Sequence, residues 1–323
     1  MRYSMRDLEH PNLLREIFPY SEAPRIRLDR FVLAPLPAAD MFITDSTFRD
    51  GQQARAPFTP GEAGDLFEML HRLSGPDGLI RHSEFFLYTR ADRRLLDVCR
   101  EKGHPYPVVT GWIRASEADL QLVAQAGLRE TGILTSASDY HIYLKLGSTR
   151  KKIMDRYLRV VRMALEKGIV PRCGFEDITR ADIHGFCIPF AVELMKLREE
   201  SGMDVKIRLS DTLGLGTTYP GAALPRGVPA LARAFIEDAG VPGHLLEWHG
   251  HNDFHHAVIN STTAWLYGIT GVSGTLLGLG ERTGNAPVEA LLVERSSLRG
   301  EPRHIPYDLF PRIREILQPP GSP

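Results

Sequence analysis

Cysteine is scarce in this 323-residue chain. Cys99, Cys173 and Cys187 are odd in number and show no CxxC spacing, which argues against a disulfide framework or a thiolate zinc site and fits a reducing cytoplasm. Long apolar runs are missing as well. None approaches the ~20 residues of a membrane span, and the opening MRYSMRDLEH holds no signal-peptide apolar core. Charge of one sign is not in excess: 39 Lys and Arg face 40 Asp and Glu. That balance offers no basic field for nucleic acid or an anionic membrane, so a small molecule or another protein is the expected partner. Low-complexity blocks and long linkers are absent before the tail. What is present, 43% hydrophobic and 24% charged residues, is the make-up of a globular protein able to bury a substantial core in one large domain or two ordinary ones.

Short β-branched or aromatic runs recur, each followed by a longer amphipathic stretch. They are MFITDS (41–46), LIRHSEFFL (79–87), YPVVTGWI (106–113), ETGILTS (130–136), IVPRCGFEDI (169–178), DVKIRLSD (204–211), LLEWHGHND (245–253) and GVSGTLLGLG (271–280). Between the first two, TPGE (59–62) reads as a capping box with Pro60 at the first helical position, and Leu66, Phe67, Met69, Leu70 and Leu73 form an apolar stripe. After the fifth run, TRAD (179–182) offers a similar cap from Thr179, with Asp182 in place of the usual Glu or Gln. Strands alternating with helices imply parallel βαβ units. Eight units over about 250 residues match a (β/α)8 TIM barrel better than a doubly wound sheet. The expected organisation is an N-terminal extension over 1–40 containing a short helix, a barrel over 41–297, and a tail over 298–323. That tail carries one helix near 308–317 and ends in a disordered PPGSP.

Such barrels do their chemistry at the C-terminal ends of the strands, and those ends are polar here. They read DSTFRDGQQ, SEFF, RCGFEDITR, LSDT, WHGHND and GLGERTGN at the first, second, fifth, sixth, seventh and eighth strands. His249 and His251 stand two apart on a strand and share a side. Two readings stand: a hydrogen-bonded core pair, or two ligands of a metal completed by a carboxylate from another strand end. The acidic first strand end, with Asp45 and Asp50 flanking Arg49, favours the metal. His255 and His256 fall on the next helix in structural roles. The bland alternatives for the rest are turns and caps, Asp45, Glu176, Asp177 and Asp211 among them. GLGERTG alone is a weak phosphate-loop signal.

Taken together, DSTFRDGQQ, RCGFED, SDTLG, HGHND and GLGERTGN resemble the metallolyase family that contains isopropylmalate, homocitrate, citramalate and Re-type citrate synthases and HMG-CoA lyase. The resemblance covers about 41–297 and implies a (β/α)8 barrel with one divalent metal (Mg, Mn, Zn or Co). It implies Asp50, His249 and His251 as ligands and Asn285 as a further one in some members. Arg49 matches the arginine that polarises the substrate or enolate oxygen, Gln53 the nearby amide and Glu84 the glutamate of the second strand, the last two expected to contact the substrate. Arg172 matches a carboxylate clamp, Glu176 an active-site acid, and Thr212 the threonine that holds the 2-oxo acid's carboxylate. TFRDGQQ, SEFFLY and TSASDYH are similar to Re-citrate-synthase-like members. The glycine loop lacks the lyases' cysteine, which points to a synthase. Synthases continue past the barrel into a lid that lends His and Tyr to the partner of a homodimer. Only 298–323 follow the barrel here, so either the lid lies outside this sequence or the base comes from the barrel.

The resemblance therefore implies a metal-dependent Claisen condensation of acetyl-CoA with a 2-oxo acid, giving a 2-hydroxy acid and CoA. A lyase, a carboxyltransferase, or a non-catalytic metal- and ligand-binding barrel are the alternatives. A dicarboxylic oxo acid needs a cation for its distal carboxylate. Arg172, Arg114 and Arg180 are candidates, with His82 and Tyr140 adding polar contacts, and Arg114 and Arg180 can equally pair with local acids such as Glu117 and Asp182. Oxaloacetate is expected first and 2-oxoglutarate second, with 2-oxoisovalerate as the rival.

Overall fold

The computed structural model describes residues 3–19, 21–29, 32–300 and 305–318. All eight runs are strands: β1 (Phe42–Asp45), β2 (Ile80–Phe85), β3 (Val108–Arg114), β4 (Glu130–Ser136), β5 (Val170–Glu176), β6 (Lys206–Asp211), β7 (Leu246–Gly250) and β8 (Gly271–Gly274). Each pairs in parallel with the next, and β8 pairs with β1 to close the barrel. Helices α1 (Pro60–Ser74), α2 (Arg90–Glu101), α3 (Glu117–Gln125), α4 (Arg150–Glu166), α5 (Ile188–Ser201), α6 (Val228–Arg233), α7 (Ala257–Leu266) and α8 (Val288–Arg299) follow the strands in turn. A last helix, α9 (Leu309–Leu317), packs on α1. Among the described residues no helix is long and apolar enough to cross a membrane.

Local sequence accounts for the helix ends. At α1, Thr59 accepts from the Glu62 backbone and Glu62 returns the bond, with Pro60 in the first turn, an arrangement contributing about 1 kcal/mol. The apolar stripe of α1 is buried from Leu66 to Leu73. The fifth helix starts differently from the sequence expectation. The Thr179 hydroxyl donates to Asp211 instead of capping, and Asp182 caps a wide turn over Ile183–Cys187 that leads into α5. Asp211 also accepts from the backbones of Leu215 and Gly216. This buried carboxylate claimed the hydroxyl, leaving the cap to the next polar side chain. His255 and His256 precede α7 and do not lie on it: His255 has φ +58° and His256 is the N-cap.

The short helix expected in the N-terminal extension is not formed among its described residues, which show turns and bends at 9–10, 15–18, 21–22 and 39–40 and no helical segment. Prolines at 11, 19, 24, 35 and 37 break any helical ladder. The barrel instead satisfies this backbone: Asp29 N donates to Gly221 O, Ala223 N to Arg27 O, and Arg226 to the carbonyls of Pro24 and Arg25. The PPGSP segment lies outside the described residues.

Branched aliphatics ordinarily fill a barrel of this kind. Here the interior is charged. Arg172 Nη1 donates to Glu84 at 2.9 Å, and Arg208 grips Glu84 with both terminal nitrogens at 2.6 and 2.8 Å. Arg208 also bonds Glu247, and Arg172 bonds Glu130, while Lys206 reaches Glu130 at 2.6 Å. Three cations thus meet three carboxylates, and Ser46 and Thr44 donate to Glu84 and Glu247 at 2.9 and 2.7 Å. A buried charge survives only when paired and hydrogen-bonded to this extent.

Candidate active site

Past β1 the chain turns back so that the amides of Asp50 and Gly51 donate to Ser46 O at 2.7 and 3.1 Å. This turn separates the two aspartates flanking Arg49. Asp45 shapes the turn, accepting from Thr47 N and from the Ser83 hydroxyl, and burial pushes its carboxyl up to about 6. Asp50 faces inward with 1% of its surface exposed. Its Oδ2 lies 3.4 Å from His249 Nε2 and 3.7 Å from His251 Nε2. Burial alone would push Asp50 up, but Arg49, its Nη1 at 3.2 Å, and the two imidazoles hold it well below the usual carboxylate range.

The β7 strand aims both imidazoles at that carboxylate, and each is fixed from behind. His249 Nδ1 lies 3.2 Å from Ser273 Oγ, and His251 Nδ1 lies 3.3 Å from the Gly284 carbonyl. A carbonyl only accepts, so Nδ1 of His251 carries the proton and Nε2 keeps its lone pair toward Asp50, the tautomer a metal ligand needs. Burial lowers both rings, His249 to about 4, leaving neutral imidazoles at neutral pH. The ligand atoms of Asp50, His249 and His251 fall within 4.8 Å of one another.

Asn285 completes the group. Its amide nitrogen donates to Leu279 O at 3.0 Å, while Oδ1 is buried with no hydrogen-bond partner. A buried carbonyl oxygen with no partner, beside a carboxylate and two imidazoles, is available as a further donor to an electrophile. The donor set fits a divalent ion of borderline hardness. The glycine loop makes room for this: a Cβ on Gly280 would stand 1.9 Å from Asn285 Nδ2. The loop also closes on the first strand end, with Glu281 N donating to Asp50 Oδ1 at 3.2 Å.

Beside this group opens a cavity of about 600 Å3 whose wall includes Arg49, Gln53, Trp112, Arg114, Lys145 and Glu176. Gln53 Nε2 lies 3.4 Å from Asp50, and Arg49 Nε is buried without a partner. Glu176 accepts from Ser136 Oγ at 2.9 Å, His141 Nδ1 at 2.9 Å and Lys145 Nζ at 3.2 Å. Burial would raise its carboxyl, yet His141, Lys145 and Ser136 draw it down to about 2, so at neutral pH it is an acceptor and not an acid.

Of the residues expected from sequence, the structure thus brings together Arg49, Asp50, Gln53, His249, His251 and Asn285, with Glu176 and Arg114 on the same cavity. It places others elsewhere. Glu84 and Arg172, expected at the substrate, are 0% and 1% exposed in the interior network, and their polar atoms are engaged there. Thr212 Oγ1 accepts from Asp177 N at 2.8 Å, bracing the loop after β5. Arg114 pairs with Asp119 at 2.8 Å and Arg180 with Asp177, neither with the acids named above. Tyr140 donates to Leu13 O, and His82 sits in the interior 3.7 Å from Glu130. Sequence reasoning missed Trp112, His141, Lys145, Arg208 and Glu247. Strand alternation carried a signal for one of them, since Glu247 stands two before His249 and must face the same way.

Residues 40–316 match the HMGL-like family. The chain belongs to that family. It is 61% identical over 300 residues to the citrate (Re)-synthase of Syntrophus aciditrophicus, covering 93% of this chain and 48% of that one. With the citrate (Re)-synthase of Clostridium kluyveri it shares 46% over 317 residues, 98% of this chain and 70% of the other. The chain therefore spans about half the length of the first of these relatives. The HMG-CoA lyase of Bacillus subtilis superposes with a TM-score of 0.65 at 18% identity, over 88% of this chain and 95% of the lyase. At that identity it supports the shared barrel alone.

Proposed function

We propose that this HMGL-like protein condenses acetyl-CoA with a 2-oxo acid, oxaloacetate in first place, to give a 2-hydroxy acid and CoA. The observation that carries the reading is the inward-facing group of Asp50, His249 and His251, with the unpartnered Asn285 oxygen and Arg49, beside the cavity. The likeness to two citrate (Re)-synthases supports the choice of substrates. In this reading residues 41–297 are the catalytic barrel, 1–40 its extension and 298–323 a trailing segment.

Asp50, His249 and His251, with Asn285 Oδ1 as a further donor, would hold a divalent ion, which would supply Lewis acidity toward the oxo acid. Arg49 has a free Nε and an Nη1 anchored on Asp50, so it presents a fixed donor to the oxyanion that develops on carbon–carbon bond formation. Gln53 adds an amide beside the same carboxylate. Glu176 stays ionised and accepts from His141 Nδ1, so it orients that imidazole behind the cavity wall. Lys145 and Arg114 place positive charge in the same wall, where the distal carboxylate of a dicarboxylic substrate is favoured. Arg172 stands apart from this wall, bonded to Glu84 and Glu130.

The test is thiol release from acetyl-CoA with added divalent metal and, in turn, oxaloacetate, 2-oxoglutarate and 2-oxoisovalerate. Oxaloacetate should give the highest specificity constant. Release with none of the three removes the condensation reading, and preference for 2-oxoisovalerate removes the dicarboxylate.

A further inference from the structure

Trp112 lies on β3 in the cavity wall, 5% exposed. Its indole occupies room that two neighbouring strands leave by having no side chain. A Cβ on Gly132 of β4 would stand 2.0 Å from the ring and one on Gly174 of β5 2.8 Å, inside any tolerable contact. Three consecutive strands are matched to seat one indole.

The two glycines also fix its height in the barrel. Gly174 is the next position facing the same way after Arg172, and Gly132 the next after Glu130, because side chains on a strand alternate. The indole fills the places of both glycines, one step nearer the C-terminal mouth than the Arg172–Glu130 pair. Two guanidinium groups flank it. Arg49, in the cavity wall, has its Cζ 4.2 Å from the ring centroid, and Arg208, fully buried, has its Cζ at 5.0 Å. Such contacts hold a planar cation against an aromatic face. Arg172 and Arg208 are not among the described residues that line the cavity.

We propose that Trp112 sets the depth of the oxo-acid site, and so selects substrate chain length, by filling the space that Gly132 and Gly174 leave in the barrel. This rests on the reading that the cavity takes a 2-oxo acid. With the indole in place the distal carboxylate of a four-carbon dicarboxylate remains near the cavity wall. Without it, a substrate one methylene longer gains the room that the indole fills over Gly132 and Gly174. One methylene in a fitted pocket is worth roughly 10- to 200-fold in discrimination.

The experiment is calorimetric binding of oxaloacetate and of 2-oxoglutarate to the Mn(II)-loaded protein, for wild type, Trp112→Leu and the milder Trp112→Phe. The ratio of the two affinities is read within each preparation, so a partly unfolded variant does not distort it. Wild type should favour oxaloacetate by roughly 10- to 200-fold. Trp112→Leu should cut that ratio at least tenfold, chiefly through tighter 2-oxoglutarate binding, with Trp112→Phe between. An unchanged ratio in Trp112→Leu, or parallel loss of both affinities, overturns the proposal while leaving the condensation reading intact. Wild type that binds neither oxo acid overturns both.

Discussion

Replacing Glu84 by Gln removes one charge from the centre of the barrel. Glu84 has no exposed surface, and its two oxygens accept from Ser46, Arg172 and both terminal nitrogens of Arg208. The amide keeps the shape but turns an NH2 group toward a guanidinium and leaves three cations facing two carboxylates. Breaking a buried pair from one side costs about 3–5 kcal/mol, because the remaining charge stays buried without its partner. Against a domain stability of about 5–15 kcal/mol that is a large share. Urea unfolding followed by circular dichroism reads it directly. The pH dependence supplies a second reading. Burial opposes ionisation of Glu84, but Arg208 and Arg172 overcome it and draw the carboxyl from 4.5 down to about 2. A carboxyl lowered on folding contributes stability that is complete above about pH 4.5 and is lost as the pH falls toward 2. Wild type should therefore lose this contribution over that window, and Glu84→Gln should not. With a substrate-contacting Glu84, as the family resemblance implies, Glu84→Gln would lower affinity for the oxo acid with little change in unfolding. A stability loss below about 1 kcal/mol, within the range of an exposed ion pair, would refute the network account.

Alanine at His249 or His251 should abolish retention of a divalent ion through gel filtration. Asn285→Ala should weaken it by about tenfold or more, since Oδ1 has no other partner, and undiminished metal content in the His249→Ala/His251→Ala double variant would dismiss the site. Glu176 is ionised across the working range, so no titration belonging to it should enter the rate profile between about pH 4 and 8. An acidic limb there that Glu176→Gln removes would count against the assignment. The thiols of Cys99 and Cys173 are pushed up to about 12 by burial, and that of Cys187 well above its ordinary value, so Cys173→Ser should leave the rate within its order of magnitude; a larger loss in a folded variant would argue for thiol chemistry.

What the sequence made legible follows from periodicity and from which residues chemistry requires. All eight strands were readable because β-branched or aromatic runs alternate with amphipathic stretches eight times over, a pattern that a closed parallel barrel must repeat. His249 and His251 were readable because a two-residue spacing puts both imidazoles on one face, and Asp50 because its RDG motif resembles the family's; every polar strand end carries an acid, so position alone does not choose it. The N-terminal segment was not: its path is fixed by barrel groups such as Gly221 O and Arg226 that accept or donate to its backbone, and no local pattern encodes them. The same holds for the TRAD cap, where Asp211, distant in sequence, takes the Thr179 hydroxyl.

The interior was the least legible part, and the reason bears on function. Sequence reasoning treats a buried charge near a polar strand end as a candidate for substrate contact, because unpaired burial is costly and chemistry is the usual justification. Glu84, Arg172, Arg208 and Glu247 escape that inference by satisfying one another, a property of four different strands that no single one of them displays. Trp112 was hidden for the complementary reason: an aromatic in a strand reads as core, and its meaning depends on the absence of side chains at Gly132 and Gly174. A charged floor closed by an indole leaves Arg49, Lys145 and Arg114 as the cations in the cavity wall. Under the proposed reading a second carboxylate is met by these wall cations at the rim after β3 and β4, and sequence variation at positions 112, 132 and 174 becomes the place to look for changed substrate length.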